Sequence, residues 1–433
     1  MLPFTNIHTH VFTSSCVPDR FLMILPVGVV RRFPNKIKSV LDSKLGRWLI
    51  RWLADWGEEK KNNRRKEFDK YVAFVDVAVQ STQLEVFQRA FEAGKIYDHA
   101  VRIVGLTMNM DHMDSLPSQN QISFETQLEE VKDIKRYYPA NFFPFLGIDP
   151  RHKSGVDLVS WARPYFETGV LHKDTGRVFP FFSGIKLYPA LGFFPFDPRL
   201  EELYKYAEKN QLPVMTHCTR VGTQYIGTKI ESLIPESPAM ISIANNNNFA
   251  KARNSINARI SKFYEKGWVK NSDRGENDRA CDLFGHPENY VPLLEKFPNL
   301  KLCLAHMGGS NEILDAPNKG ELAEIREVDT PGWFERVTSM MKEYPNLYTD
   351  ISYTLSDFED TTGVVFQRFT SFLVEQDRNG RPLSERVMFG TDFFMTEMEK
   401  REAELYFNTQ RNLRRWFDDF ARINPQKFLM QPV

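Results

Sequence analysis

Eight times along this chain a short apolar segment stops abruptly at a polar or glycine residue. The segments are Asn6–His10, Val101–Met108, Phe142–Ile148, Gly184–Tyr188, Pro213–His217, Leu302–His306, Asn346–Ile351 and Arg386–Asp392. Between them lie amphipathic runs, among them Phe124–Tyr138, Arg199–Asn210, Tyr290–Phe297, Trp333–Tyr344 and Phe366–Asp377. Hydrophobicity that is continuous rather than alternating suits parallel strands buried on both faces, and strands that alternate with helices form βα units. Eight such units in 433 residues predict an α/β fold, a closed (β/α)8 TIM barrel rather than an open doubly wound sheet. No glycine-rich phosphate cradle opens a helix, which weighs against nucleotide binding.

Two stretches exceed what a barrel needs. Residues 12–94 follow the first strand and read as helical, including Lys66–Val79 and Thr82–Ala93, although Val72–Val79 would also pass for a strand. Residues 220–285 follow the fifth strand, are polar and contain the run Asn245–Asn248. The chain, 1–433, reads as a single barrel domain carrying these two insertions. Because each follows a strand, each is expected to rise from the C-terminal face, where barrel active sites sit, and to form a cap. Trp48, Trp52 and Trp56 recur at helical spacing beside Arg47 and Arg51, a stripe expected to pack rather than to dock on a membrane.

Lys+Arg and Asp+Glu balance at 56 each with no sustained basic block, so the electrostatic footprint of a nucleic-acid binder is missing and a small molecule is the expected partner. The four cysteines, Cys16, Cys218, Cys281 and Cys303, form no CxxC pair, which suits a reducing compartment. No cationic start with an apolar run opens the chain, and the longest apolar stretch, Phe21–Val30, contains Pro26 and is too short to span a bilayer. A cytoplasmic protein without membrane attachment is expected. Phenylalanine is over-used, at 35 copies, which points to a bulky aromatic core.

The chemistry gathers where the strands end. In His8-Thr9-His10 the two imidazoles sit two residues apart on a strand, on the same side and roughly 6.6 Å apart, close enough to converge on one ion with bonds of about 2.1 Å. His217 and His306 end two further segments and Asp392 ends the last. Four of nine histidines thus fall at strand termini that a parallel barrel brings to one mouth. Imidazole with carboxylate is a ligand set for Zn(II), Mn(II) or Fe(II). The blander alternatives are core histidines that satisfy buried hydrogen bonds, and an Asp392 that caps the following helix.

Taken in order, His8-Thr9-His10, Lys186 in Gly184–Pro189, His217, Ala305-His306-Met307-Gly308-Gly309 and Gly390-Thr391-Asp392 resemble the amidohydrolase superfamily, in particular its amidohydrolase-related branch of TIM-barrel metal-dependent hydrolases. Phe145–Arg151 and Ile423–Leu429 are also similar to that branch, and the resemblance spans nearly the whole chain apart from the two insertions. It implies that His8, His10, His217 and Asp392 bind a divalent metal, Zn(II) first and Mn(II) or Fe(II) as alternatives, with one ion preferred over two. It also implies that His306 polarises substrate or steers water, and that Asp392 moves the proton. Lys186 is either a carboxylated ligand bridging two ions or an unmodified amine. Arg220, Tyr188 and Arg151, near the same mouth, are candidate substrate-binding residues, with ordinary ion pairs as the other reading for the arginines. Asp111, His112 and Asp350 are expected in supporting roles, whereas His99, His152, His172 and His286 match no position of the family.

Three functions follow. The first is hydrolysis of an amide, ester or lactone of a small, carboxylate-bearing molecule by a metal-activated water. The second is metal-dependent, non-oxidative decarboxylation of an aromatic or unsaturated acid, which the resemblance also covers. The third is a non-catalytic binding module, against which the intact ligand set argues. The resemblance also admits a homodimer. Phe193-Phe194-Pro195-Phe196 hints at an apolar pocket wall.

Overall fold

The computed structural model describes residues 2–21, 74–98, 100–119, 121–152, 157–171, 176–227, 230–234, 250–269, 278–314, 331–398 and 400–429. The strands are β1 (Thr5–His10), β2 (Arg102–Leu106), β3 (Phe145–Ile148), β4 (Gly169–Leu171), β5 (Val178–Pro180), β6 (Gly184–Leu187), β7 (Val214–Thr216), β8 (Leu302–Leu304), β9 (Leu347–Asp350) and β10 (Val387–Met388). Eight of them, one from each expected segment, form a parallel sheet in the order β1-β2-β3-β6-β7-β8-β9-β10. The sheet closes on itself beyond β10, where the chain runs beside β1. There Ile7 N donates to Phe389 O and Asp392 N to His8 O, both at 2.9 Å. The fold is therefore a (β/α)8 barrel. Every residue of β1, β3 and β6 is buried, as parallel strands covered on both faces are, although β1 carries Asn6, His8 and His10 and β6 carries Lys186.

Helices alternate with the barrel strands: α1 (Gln83–Tyr97), α2 (Phe124–Tyr137), α3 (Leu158–Glu167), α4 (Glu201–Lys209), α5 (Ala250–Glu265), α6 (Asp278–Phe284), α7 (Val291–Lys296), α8 (Ser310–Leu314), α9 (Trp333–Glu343), α10 (Val364–Val374), α11 (Glu402–Asn412) and α12 (Asn424–Leu429). Local chemistry sets their starts. Thr82 Oγ1 accepts from Glu85 N at 3.3 Å while Glu85 Oε2 accepts from Thr82 N at 3.2 Å, a reciprocal cap that opens α1. The run expected at Phe366–Asp377 is shifted to Val364–Val374, because Gly363 supplies the extended cap and Glu375 returns to extended backbone. The hairpin β4–β5 was not expected. Each strand has three residues, and Leu171 and Val178 are exposed, so neither builds an apolar signal.

Three apolar layers result. Inside the barrel, Ile7, Val104, Phe145, Met215, Tyr348 and Met388 pack around Phe428 of α12; its ring lies 5.1 Å from Tyr348 and 6.4 Å from Phe145, plugging the end where the strands start. The outer layer joins barrel to helices. It takes in Phe193, Phe194 and Phe196, with Phe194 against Phe284 of α6 at 4.9 Å, so this loop packs against a helix and is not a pocket wall. The third layer roofs the mouth with Phe12, Phe21, Met108, Met110, Leu191 and Phe394, drawn from the loops after β1, β2, β6 and β10.

Residues 74–78 are helical and Val79 is in a turn, in keeping with the helical reading of Val72–Val79; residues 66–73, the Trp48, Trp52 and Trp56 stripe, and Asn245–Asn248 lie outside the described residues. Among those described, no helix is long and apolar enough to cross a membrane.

Candidate metal centre

β1 carries His8 and His10 on one side, with ring centroids 5.5 Å apart. Asp392, just past β10, has φ +66°, an uncommon conformation for a non-glycine residue and one that marks functional positions. Its Oδ1 lies 3.2 Å from His10 Nε2 and 3.5 Å from His8 Nε2. Gly390 permits this approach, because a Cβ there would sit 2.7 Å from the Cβ of His8. His8, His10 and Asp392 thus offer three ligand atoms within 4.8 Å of one another. Yet His8 Nε2 and Asp392 Oδ1 are buried with no aligned hydrogen-bond partner, and the same holds for Lys186 Nζ on β6. Each such group costs about 1–3 kcal/mol if left unsatisfied. A divalent cation fits this trio: the donor set is imidazole plus carboxylate, and the orphaned atoms are the ones that face each other.

The opposite side of the mouth is arranged differently. His217 stacks on Tyr188 at 4.4 Å. Its Nδ1 lies 3.1 Å from His306 Nε2, and its Nε2 lies 2.8 Å from Val221 O. His217 therefore meets the trio through His306 and does not face Asp392 directly. His306 has φ +67° and opens the turn that Gly308 and Gly309 complete; Gly309 has φ +96°, and a Cβ there would meet Thr219 Oγ1 at 2.6 Å. Behind both rings, Asp350 accepts from His8 Nδ1 at 3.0 Å and from the His306 and Ser352 amides, each at 3.1 Å. His8, His306 and Asp350 form a second group of ligand-type atoms.

Burial governs the protonation states. It lowers His8 to about 3, with the Lys186 charge adding and Asp350 opposing. Burial also takes His217 well below its ordinary value and lowers His306, so these rings are neutral and able to donate lone pairs. Burial pushes Lys186 down to about 8. For Asp392 and Asp350 burial acts to raise the pKa, but the imidazoles of His10 and His8 around Asp392, and of His8 and His306 around Asp350, hold both below the usual carboxylate range.

The other candidates have partners of their own. Arg220 is buried, with Nη1 on Asp282 Oδ1 at 2.6 Å and Nε on Glu312 Oε1 at 2.9 Å, and its guanidinium covers Trp333 at 4.6 Å. Arg151 grips Asp149 through Nε at 2.9 Å and Nη2 at 2.5 Å. Neither arginine is therefore an uncompensated cation facing the trio. Tyr188 is buried, its hydroxyl accepting from Thr223 N at 3.1 Å. Asp111, raised to about 6 by burial and by Glu125 and Asp149, and His112, lowered by burial, lie on the loop after β2.

Sequence reading passed over two sets of residues. Ser352 sits between His306, His8 and Asp350. Behind the β1–β10 seam, Asn6 Nδ2 donates to Thr391 Oγ1 at 2.8 Å and to Glu402 Oε1 at 3.0 Å, while Thr391 and Tyr406 also donate to Glu402 Oε1. Only Asn6, two residues before His8 and so on the same side of β1, carried a positional hint. Beside His306 a cavity of about 230 Å³ is lined by Thr219, Arg220, Gly309, Glu312 and Tyr353, room for a small molecule.

No curated protein matches the chain. Its fold is similar to several solved structures. One is a protein named as a probable 2-pyrone-4,6-dicarboxylic acid hydrolase from Acinetobacter baumannii with citric acid bound (10% identity, 81% of this chain and 89% of that one, TM-score 0.41). Another is 5-carboxyvanillate decarboxylase from Novosphingobium aromaticivorans with manganese and a nitrobenzoic acid (11%, 81% and 84%, 0.42). A third is 4-oxalomesaconate hydratase from Rhodopseudomonas palustris (14%, 98% and 95%, 0.39). The amidohydrolase family model matches residues 152–428, more than half of the sequence and a stretch that includes His217, His306 and Asp392, and the chain belongs to the amidohydrolase family as an enzyme of that type.

Proposed function

We propose that this enzyme hydrolyses an amide, ester or lactone bond of a small, carboxylate-bearing molecule with the help of one divalent metal ion, Zn(II) first and Mn(II) or Fe(II) as alternatives. His8, His10 and Asp392 would hold the ion, with His217 as a fourth ligand once its Nε2 leaves Val221 O. Bound there, the cation supplies Lewis acidity that lowers the pKa of water toward about 7 and polarises a carbonyl. The observation that carries this reading is the pair of orphaned, buried atoms, His8 Nε2 and Asp392 Oδ1, facing each other across the closed seam.

The chain's own groups divide the remaining work. Asp392, ionised, accepts a proton from water and returns it to the leaving group. His306, neutral and fixed by its backbone and ring contacts, orients the scissile group at the edge of the cavity. Lys186 is assigned as an unmodified amine, and with Tyr188 it is the group left to meet a substrate carboxylate, since Arg220 and Arg151 are balanced by carboxylates of the protein. Segments 12–94 and 220–285 act as the cap of a single-domain enzyme, supported by the roof residues Phe12, Phe21 and Cys281. The proposal extends to a cytoplasmic location and a homodimer, with no nucleic acid or membrane as partner.

Decarboxylation of an aromatic or unsaturated acid is the second reading. The aromatic and methionine-rich roof favours it, since that reaction consumes no water. Elemental analysis of the purified enzyme, followed by a screen of esters, lactones, amides and aromatic acids, separates the two. A new acid group in the product supports hydrolysis, and carbon dioxide release supports decarboxylation. Metal-free protein with full turnover would sink both.

A further inference from the structure

We propose that one carboxylate, Asp350, dictates which nitrogen carries the proton on His8, His306 and His217, and that Ser352 is the positioning residue that relays this choice. The inference rests on the metal-centre reading above and adds to it a hydrogen-bond direction. An ionised carboxylate only accepts, so His8 carries its proton on Nδ1, 3.0 Å from Asp350 Oδ2, and its Nε2 is left bare. The Ser352 hydroxyl donates to Asp350 Oδ1. With its single proton committed, Ser352 Oγ can only accept, from His306 Nδ1 at 2.9 Å and from His8 Nδ1 at 3.1 Å, and the Ser352 carbonyl oxygen, 3.1 Å from His306 Nδ1, can likewise only accept. His306 therefore holds its proton on Nδ1. In a neutral ring Nε2 is then bare, and it accepts from His217 Nδ1 at 3.1 Å. His217, protonated on Nδ1, presents a bare Nε2 as well.

One contact pulls the other way. Val221 O lies 2.8 Å from His217 Nε2 and would be satisfied by a proton there, which would reverse every bond back to Ser352. The two ends of the chain are unequal. Asp350 is a fully buried charge fed by His8, the His306 and Ser352 amides, the Ser352 hydroxyl and the Cys303 thiol, and hydrogen bonds to ionised groups are about twice as strong as neutral ones. Val221 O is a neutral acceptor on a residue that is half exposed, and its bond is the weaker of the two. The carboxylate end wins. Both bare Nε2 atoms then derive from one acid, directly for His8 and through Ser352 and His306 for His217.

The test uses the full-length, metal-stripped enzyme with 15N-labelled histidine, reading the tautomers from long-range proton–nitrogen correlations. The relay predicts Nδ1–H on His8, His306 and His217; Nε2–H on His306 and His217 overturns it. Ser352→Ala leaves His306 Nδ1 the carbonyl of residue 352, at 3.1 Å, against Val221 O, 2.8 Å from His217 Nε2, and should shift His306 and His217 toward Nε2–H, leave His8 unchanged and weaken Zn(II) binding about 10-fold, the lower end for lost outer partners of metal ligands. Ser352→Thr, which keeps the hydroxyl, should restore both readouts. An unchanged His217 tautomer in Ser352→Ala overturns the proposal even if Zn(II) binding falls. Failure of the relay is distinguishable from failure of the metal reading: the predicted tautomers in a protein that takes up no Zn(II) support the relay and sink the metal reading, and Zn(II) uptake with opposite tautomers does the reverse.

Discussion

The two sides of the barrel mouth handle buried polarity in opposite ways. Along the β1–β10 seam, His8 Nε2 and Asp392 Oδ1 are buried without aligned partners. Across the mouth, His217 and His306 are joined to each other and to Ser352, and Val221 O lies 2.8 Å from His217 Nε2. The supports behind them differ too. The seam is backed by Glu402, a carboxyl that burial pushes up to about 8; the other side is buttressed by Arg220 between two carboxylates. A protein tolerates orphaned groups only where something else meets them, so the unsatisfied side is where a ligand belongs and the satisfied side is where geometry is set.

The largest effect should come from the seam itself. Asp392→Asn keeps the shape but loses both the charge and the proton acceptor, and kcat should fall on the order of 10³-fold, within the range for removal of a general base. Circular dichroism and thermal melting should show the fold retained. Unchanged function would favour a binding module instead. On the other side, Arg220→Gln removes the guanidinium that Asp282 and Glu312 share, although Asp282 keeps Arg279, and stability should fall by about 3 kcal/mol. Denaturant unfolding measures that loss. KM should move little, whereas a rise in KM at unchanged stability would return Arg220 to the substrate. Between the two sides, His8→Ala should weaken Zn(II) binding at least about 10-fold more than His217→Ala, because a cation gains His217 only by displacing Val221 O. Competition titration with a chromophoric chelator measures both, and equal losses would erase the asymmetry.

The sequence made the barrel legible because a parallel strand buried on both faces is a short apolar run wherever it occurs, and such runs end where the mouth begins. His217, His306 and Asp392 stood at the ends of such runs, His8 and His10 stood out by their His-x-His spacing, and the resemblance to the amidohydrolase superfamily joined the five into one set. Ring direction was not legible: nothing in the order of residues says that His217 Nε2 faces Val221. Ser352 and Glu402 were invisible for a related reason. A buried polar residue acquires its meaning from partners on other elements, as Glu402 does from Asn6, nearly four hundred residues away, and such partnerships leave no period. Arg220 was read for its charge, and only the fold brings Asp282 and Glu312 to cancel it. The hairpin β4–β5 was too short and too exposed to register.

A last prediction tests the support behind the seam. Glu402 Oε1 accepts from Asn6, Thr391 and Tyr406, while Oε2 is buried without a partner. Burial raises the folded-state carboxyl from 4.5 to about 8, so the folded chain holds a proton that the unfolded chain has shed. The linked stability is fully present below about pH 4.5 and is lost as pH rises toward 8, at about 1.4 kcal/mol per pH unit inside that window. Glu402→Gln keeps the acceptor oxygen and removes the titration. Metal-stripped wild type and variant should therefore unfold at similar denaturant concentrations near pH 4.5, and the variant should gain steadily from there to pH 8. Parallel pH profiles would mean that Glu402 is ionised in the folded chain, in which case the seam, like the other side, is held by charge.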